Sequence, residues 1–270
     1  MRFAICLEMI FPDLPLLERA RRVRDAGFSA VEFWGWGGKD LDGLRGLVEK
    51  GLAVATFSGQ RRGSLVDPKD WDTYREEVQA SFPVARRLQC DRLMVLTDEL
   101  LPDGSARPAR RELTPAEKRR QVVKGLRDLA PLAEEAGITL LLEPLNTLVD
   151  HPRYFLESAR EGFAIVVEVG SPRIRLLYDV YHMQIMEGNV TATLRRHLPL
   201  VGHIHVADVP GRHEPGTGEL NFANILRALA DEGYAGTVGF EFSPQGDTQP
   251  ALGAIAALRQ DLARHGHAVR

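Results

Sequence analysis

The chain of 270 residues is 44% hydrophobic and 26% charged, the balance of an ordinary globular protein with room for one large α/β domain or two small ones. A formal net charge of -3, with arginines scattered along the chain and clusters such as Arg19–Arg24 falling on an expected helix, argues against a nucleic-acid partner, which calls for a concentrated basic face. The opening MRFAICLEMIFPDLP is interrupted by Glu8 and Asp13 and is expected to be no signal peptide; no stretch reaches the ~20 apolar residues of a membrane helix, so a cytoplasmic protein with no membrane partner is expected.

Short β-rich runs alternate with longer amphipathic ones. The first strand is expected at Phe3–Leu7, followed by a helix over Leu14–Ala26 that Gly27 closes. Strand Ala30–Phe33, helix Leu41–Glu49 with Gly51 behind it, and strand Ala53–Phe57 come next. A helix over Tyr74–Leu88 leads into strand Arg92–Leu96. Thr114, with Glu117 three residues on, forms a capping box that opens a helix reaching Ala136 before Gly137. Strand Thr139–Leu142 precedes a helix near Tyr154–Val169, and strand Arg175–Tyr178 one near Met186–Arg196. Strand Val201–Val206 pairs with helix Phe222–Asp231, and strand Thr237–Phe242 with Gln249–His265.

Eight strand–helix units in this length, with no linker rich in Pro, Gly or Ser, predict a single (β/α)8 TIM barrel over residues 1–270. A doubly wound sheet is the main rival, but no Gly-rich fingerprint follows the first strand. Cys6 and Cys90, at or beside strands, are expected to be buried thiols and not a disulfide.

A barrel of this kind gathers its chemistry at the C-terminal ends of its strands. Four of those ends carry Glu143 (LLLEP), Asp179 (LLYDVYH), His205 (HIHVAD) and Glu241 (GFEFSP), spaced 36, 26 and 36 residues apart, about one βα unit each. They therefore meet at one rim, on the fifth to eighth strands. Three crowded carboxylates would repel one another and take up protons, a cost that a divalent cation removes. Oxygen-rich ligation with one imidazole suits Mg2+ or Mn2+ better than structural zinc.

Other residues are weaker signals. His203 shares the strand face of His205 and is expected one layer deeper, as a core histidine bonded to an acid or as a support for the ligand above it. His182, three residues past Asp179, is expected in the loop above the strand, either hydrogen-bonding a substrate oxygen or sitting on the surface. Arg212 is the best candidate for a clamp on a polar substrate. Gly216 and Gly218 are expected to shape their loop and not to bind phosphate.

The runs YDVYHMQIMEG (Tyr178–Gly188) and GRHEPGTGE (Gly211–Glu219), with RFAICLEMIF at the start and LLLEPLN around Glu143, resemble the hydroxypyruvate isomerase family. That family belongs to the xylose-isomerase-like barrels, alongside the ketose 3-epimerases, and the resemblance spans the whole chain. It implies that Glu143 and Glu241 form the proton-transfer pair while also touching the metal, with Asp179 and His205 completing the coordination. One departure stands out: some hydroxypyruvate isomerases have glutamine where His205 stands, and ketose epimerases have histidine.

The implied reaction is an isomerisation of hydroxypyruvate to tartronate semialdehyde through an enediolate, with the metal as Lewis acid and template. Rival substrates are a longer oxo-acid sugar such as 2-oxo-tetronate and a ketose undergoing 3-epimerisation. A substrate carboxylate would separate these, and the loops Gln60–Arg62 and Arg107–Arg111 can either meet one or be solvated. The expected partner is a small hydroxy-oxo acid or ketose, with homo-oligomerisation left open. Glu219, in the same loop motif as Arg212, is expected to be structural.

Overall fold

A computed structural model describes residues 1–109 and 112–269. Eight parallel strands follow one another around a closed barrel in chain order. They are β1 (Arg2–Cys6), β2 (Ala30–Phe33), β3 (Ala53–Ser58), β4 (Arg92–Val95), β5 (Thr139–Leu142), β6 (Ile174–Asp179), β7 (Val201–Val206) and β8 (Thr237–Phe240). β8 closes the barrel by pairing with β1, from Arg2 beside Thr237 to Ile5 beside Phe240.

Alternation along each strand, shifted once in β3 where its register against β2 slips between Val54 and Phe57, sorts side chains between two layers. Phe3, Ile5, Val31, Phe33 and Phe57 point outward and join the helix residues in the main apolar core. There the Phe3 and Phe240 rings meet edge-on at 4.8 Å, and Phe33 stacks on Phe57 at 5.2 Å. The inward positions of the first three strands carry Ala4, Ala30 and Ala55, a small separate cluster. Barrel interiors are ordinarily filled by bulky branched side chains. Here the alanines leave the space to polar groups from β2 and β7.

The helices are α1 (Leu16–Asp25), α2 (Leu41–Val48), α3 (Trp71–Arg87), α4 (Pro115–Ala136), α5 (Ala159–Val169), α6 (Val180–Met186), α7 (Val190–His197), α8 (Phe222–Asp231) and α9 (Thr248–Arg264). The capping box of Thr114 and Glu117 opens α4 as expected, and Gly137 closes it in the left-handed conformation. Two elements differ from the expectation. Helix α5 begins at Ala159, where the Ser158 hydroxyl accepts the Glu161 N–H, and not near Tyr154. Tyr154 instead turns inward, donating its hydroxyl to the Glu143 carbonyl at 2.8 Å and accepting the Thr97 N–H at 2.9 Å, so it ties the ends of β4 and β5 together.

The second difference follows β6. A short helix, α6, starts immediately at Val180, because the Asp179 carboxylate accepts the His182 N–H at 3.1 Å and so caps it. Gly188 and Asn189, both at positive φ, separate it from α7. His182 thus lies on a helix and is fully buried, not in a surface loop. Cys6 and Cys90 are free and buried. No helix among the described residues is long and apolar enough to cross a membrane.

Gly239 shows how tightly the interior is filled. It pairs with His205, and a Cβ there would collide with the Glu32 carboxylate. Glu32 cannot swing aside without leaving His203, whose Nε2 lies 2.9 Å from its Oε2. Gly239→Ala is expected to destabilise the protein by about 1–3 kcal/mol, as overpacking does. Gly46→Ala, on α2 with open space around the new methyl, is expected to be neutral or stabilising. Thermal unfolding of both variants checks this; a Gly239→Ala protein as stable as its parent would contradict the packing.

Candidate active site

Glu143 follows the last residue of β5, Asp179 ends β6, His205 is next to last in β7 and Glu241 follows β8. One ligand atom from each lies within 4.8 Å of the others, and all four side chains are buried. The strand register explains this: Asp179 pairs with His205. His205 Nδ1 faces the three acids, 3.5 Å from Glu143 Oε1, 3.7 Å from Glu241 Oε2 and 4.0 Å from Asp179 Oδ2.

The other face of the imidazole meets a residue that sequence reasoning missed. Glu32 on β2 places Oε1 3.2 Å from His205 Nε2 and Oε2 2.9 Å from His203 Nε2. His203 is therefore the core histidine bonded to an acid, one layer below, as expected. The signal for Glu32 was present as a lone acid in the apolar strand AVEF, but nothing local says which strand it faces. Nε2 thus faces Glu32 and Nδ1 faces the acidic cluster; burial disfavours the charge of the ring, but Glu32 and Glu241 outweigh it and raise its basicity.

Burial pushes Asp179 up to about 7 despite the opposing charges of His205 and Arg212, with Glu143 and Glu241 adding to the rise. Burial also raises Glu241, but Arg212, His205 and a hydrogen bond from Trp34 outweigh it and hold the carboxyl below its usual range. Glu32 is likewise resisted by burial and drawn down to about 2 by the two histidines. Burial, reinforced by the charge of Arg212, pushes His182 far below the ordinary imidazole value and keeps it neutral. Three buried acids thus share one imidazole and one guanidinium, while neither nitrogen of His205 makes a hydrogen bond among the described residues. That donor set fits a divalent cation: oxygen-rich, one nitrogen, with a charge deficit to fill.

Above the cluster lies a cavity of about 250 Å3. Trp34, from the loop after β2, donates its indole N–H to Glu241 Oε1 at 2.6 Å. Arg212 donates to the other oxygen of Glu241, with its Nε buried and unpaired. His182 accepts the Asn146 backbone N–H on Nδ1 at 3.2 Å, so its proton sits on Nε2, which has no hydrogen-bond partner among the described residues and lies 3.7 Å from Asp179 Oδ2. Both His182 and Arg212 line the cavity, as does His151.

The loop that carries Arg212 is organised by Asp208, a second residue missed from sequence. Its fully buried carboxylate accepts the backbone N–H groups of Val209, Gly216, Gly218 and Leu220 at 2.9–3.1 Å. Gly218 packs against the Val209 carbonyl so closely that no side chain fits. The two glycines therefore shape the loop, and Arg212 itself adopts a left-handed φ of 56° within it. Glu219 accepts a hydrogen bond from Gln184 at 3.3 Å.

A family profile described as a xylose isomerase-like TIM barrel matches residues 20–262. The chain belongs to this xylose isomerase-like TIM barrel family. Within it, the full-length relatives make the chain a hydroxypyruvate isomerase-like enzyme, an isomerase. A human protein provisionally named hydroxypyruvate isomerase is 36% identical, over 99% of this chain and 97% of that one. The hydroxypyruvate isomerase of Escherichia coli K12 is 29% identical, over 93% and 97%. The 2-oxo-tetronate isomerase of Cupriavidus necator is 33% identical, over 93% and 96%. Among solved structures, one titled AP endonuclease, family 2, from Brucella melitensis superposes with a TM-score of 0.85 at 30% identity, covering 95% of this chain and 98% of that one.

Asp208→Asn would turn an acceptor of four backbone donors into a group with only one acceptor oxygen. Loss of charge-assisted hydrogen bonds is expected to cost about 1.5–3 kcal/mol. The loss should concentrate in residues 209–220, seen as faster amide hydrogen exchange there, with β7 protected as before. Unchanged exchange in this loop would show that its conformation does not depend on the carboxylate.

Proposed function

We propose that the protein isomerises hydroxypyruvate to tartronate semialdehyde, with Glu143 and Glu241 moving the proton. The observation that carries this reading is the convergence of Glu143, Asp179, His205 and Glu241 at a small buried cavity. The same four residues would hold a divalent cation, Mg2+ or Mn2+. When bound, the cation supplies Lewis-acid polarisation of the substrate's carbonyl and a template for its two neighbouring oxygens.

The residues divide the remaining work. One glutamate removes a proton from the hydroxymethyl carbon, and the electron pair left behind forms an enediolate across the two carbons. Arg212 and Trp34 keep Glu241 ionised and fix the direction of its two oxygens, so it is available as a base in a set position, at some cost in basicity. A proton returned to the former carbonyl carbon, with the hydroxyl proton passing between the oxygens, leaves an aldehyde at the other carbon. The isomerisation is then balanced without any external oxidant. His182, with its Nε2–H free, and Arg212, with its Nε–H free, are suited to hold substrate oxygens.

A second reading follows from the 33% identity to the 2-oxo-tetronate isomerase: the same proton transfer on a longer oxo-acid sugar. A ketose 3-epimerase would use the same pair of glutamates, returning a proton to the same carbon from the opposite face. A DNA-repair reading, suggested by the Brucella title, gains no support from a cluster with one imidazole and three carboxylates, above which Met94, Leu96, Leu100 and Leu145 wall the cavity.

The test is turnover of three- to six-carbon oxo acids and ketoses in D2O by chelator-treated protein, before and after Mg2+ or Mn2+ is restored. Activity is expected to vanish and return with the cation, and the product to carry solvent deuterium at its new C–H bond. Full activity in metal-free protein would refute the cation's role, and complete retention of substrate hydrogen would point to a hydride shift.

Glu241→Gln preserves size and removes the base. It is expected to lower kcat by roughly 10²–10⁴-fold at saturating Mn2+, the range for loss of a general base. Glu219→Gln, in the neighbouring loop, should remain close to the parent. Near-normal turnover by Glu241→Gln would exclude it from proton transfer.

A further inference from the structure

The two arginine-bearing loops flagged by the sequence meet different fates. Arg107 is held by Asp70 and Glu99, and Arg62 by Glu77. Gln60 is buried and accepts the Leu96 N–H. Arg110 and Arg111 lie outside the described residues. Arg61 differs: it lines the cavity, and its guanidinium has no hydrogen bond or ion pair among the described residues.

The placement of Arg61 is built, not incidental. Its backbone N–H is fixed on Glu77 Oε2 at 3.2 Å. Its aliphatic stem crosses Gly35 so closely that a Cβ at 35 would lie 2.9 Å from Cγ and 3.1 Å from Cδ. The absent side chain lets the arginine lie across the loop that also carries Trp34. Both residues then face the same cavity.

Charge across the cavity explains what a cation does there. The floor holds Glu143, Asp179 and Glu241, and the cation nearest to them, Arg212, is already bonded to Glu241. The walls at Met94, Leu96, Leu100 and Leu145 offer no counter-charge. An anionic substrate end is repelled by the floor acids and finds in Arg61 a guanidinium whose donors are unspent among the described residues. Two parallel N–H groups match the geometry of a carboxylate.

We propose that Arg61 receives the substrate's carboxylate and so selects hydroxy-oxo acids over uncharged ketoses. This assignment rests on the isomerase reading of the site. Because Arg61 is exposed, its attraction is screened by salt and acts on binding more than on the chemical step.

Calorimetric titration of the Mn2+-loaded protein with hydroxypyruvate and with dihydroxyacetone tests it. Dihydroxyacetone is the same three-carbon ketone with a hydroxymethyl group in place of the carboxylate. Arg61→Gln is expected to weaken hydroxypyruvate binding by about 10- to 100-fold, the range for a lost hydrogen bond to a charged group. Dihydroxyacetone and Mn2+ affinities should stay within about twofold, and Arg61→Lys should restore part of the loss, because a point charge replaces the fork. In kinetics the loss should fall on KM, with kcat retained. No hydroxypyruvate binding by the parent, an unchanged affinity in Arg61→Gln, or an equal loss for both ligands would overturn the assignment. Arg61-dependent binding of hydroxypyruvate without turnover would leave the carboxylate contact standing and sink the isomerase reading instead.

Discussion

His205 is the side chain around which the interior is arranged, because four buried carboxylates from four other strands or strand ends face it. Opposing forces act on it: burial disfavours its charge, while Glu32 and Glu241 favour it strongly enough to raise its basicity overall. An imidazole can serve both layers only because its two nitrogens point opposite ways. One nitrogen meets Glu32 in the barrel interior, and the other looks out at the rim. A closed barrel is what brings β2 opposite β7 in the first place, and the alanines of β1 to β3 leave the room.

The same constraint accounts for features that look unrelated. Gly239 has no side chain because Glu32 occupies its space. Asp179 works twice, joining the acidic cluster at the rim and capping α6, which carries His182 into the cavity. Glu241 is gripped on both oxygens, by Trp34 from the β2 loop and Arg212 from the β7 loop. A carboxylate fixed from two loops has little freedom left to lose when a ligand enters the cavity. The fixed floor contrasts with Arg61 across the cavity, which is exposed.

The strand-end pattern was legible because it follows from two local rules. Period-two burial marks the strands, and capping boxes and glycines mark the helix ends, so Thr114, Gly137 and the eight-fold alternation could be read directly. Spacing by one βα unit then put Glu143, Asp179, His205 and Glu241 at a common rim. The short helix α6 was not legible, since a strand that turns into a helix at a single capping residue leaves no loop signature. Tyr154 likewise reads as the start of a helix, until its hydroxyl is seen between β4 and β5.

The sequence by itself determined the barrel, its burial of both cysteines, the rim position of the acids and the depth of His203, all of which depend on periodicity along the chain. Only the tertiary structure decided that Glu32 reaches across from β2, that Trp34 and Arg212 share Glu241, and that Asp208 holds its loop through four backbone donors. It alone sorted Arg61 from Arg62 and Arg107, three arginines of the same chemical type. The physical reason is that an ionisable side chain has no intrinsic role. Its protonation, orientation and free donors are set by neighbours tens to hundreds of residues away, which closure of the barrel brings within hydrogen-bonding distance.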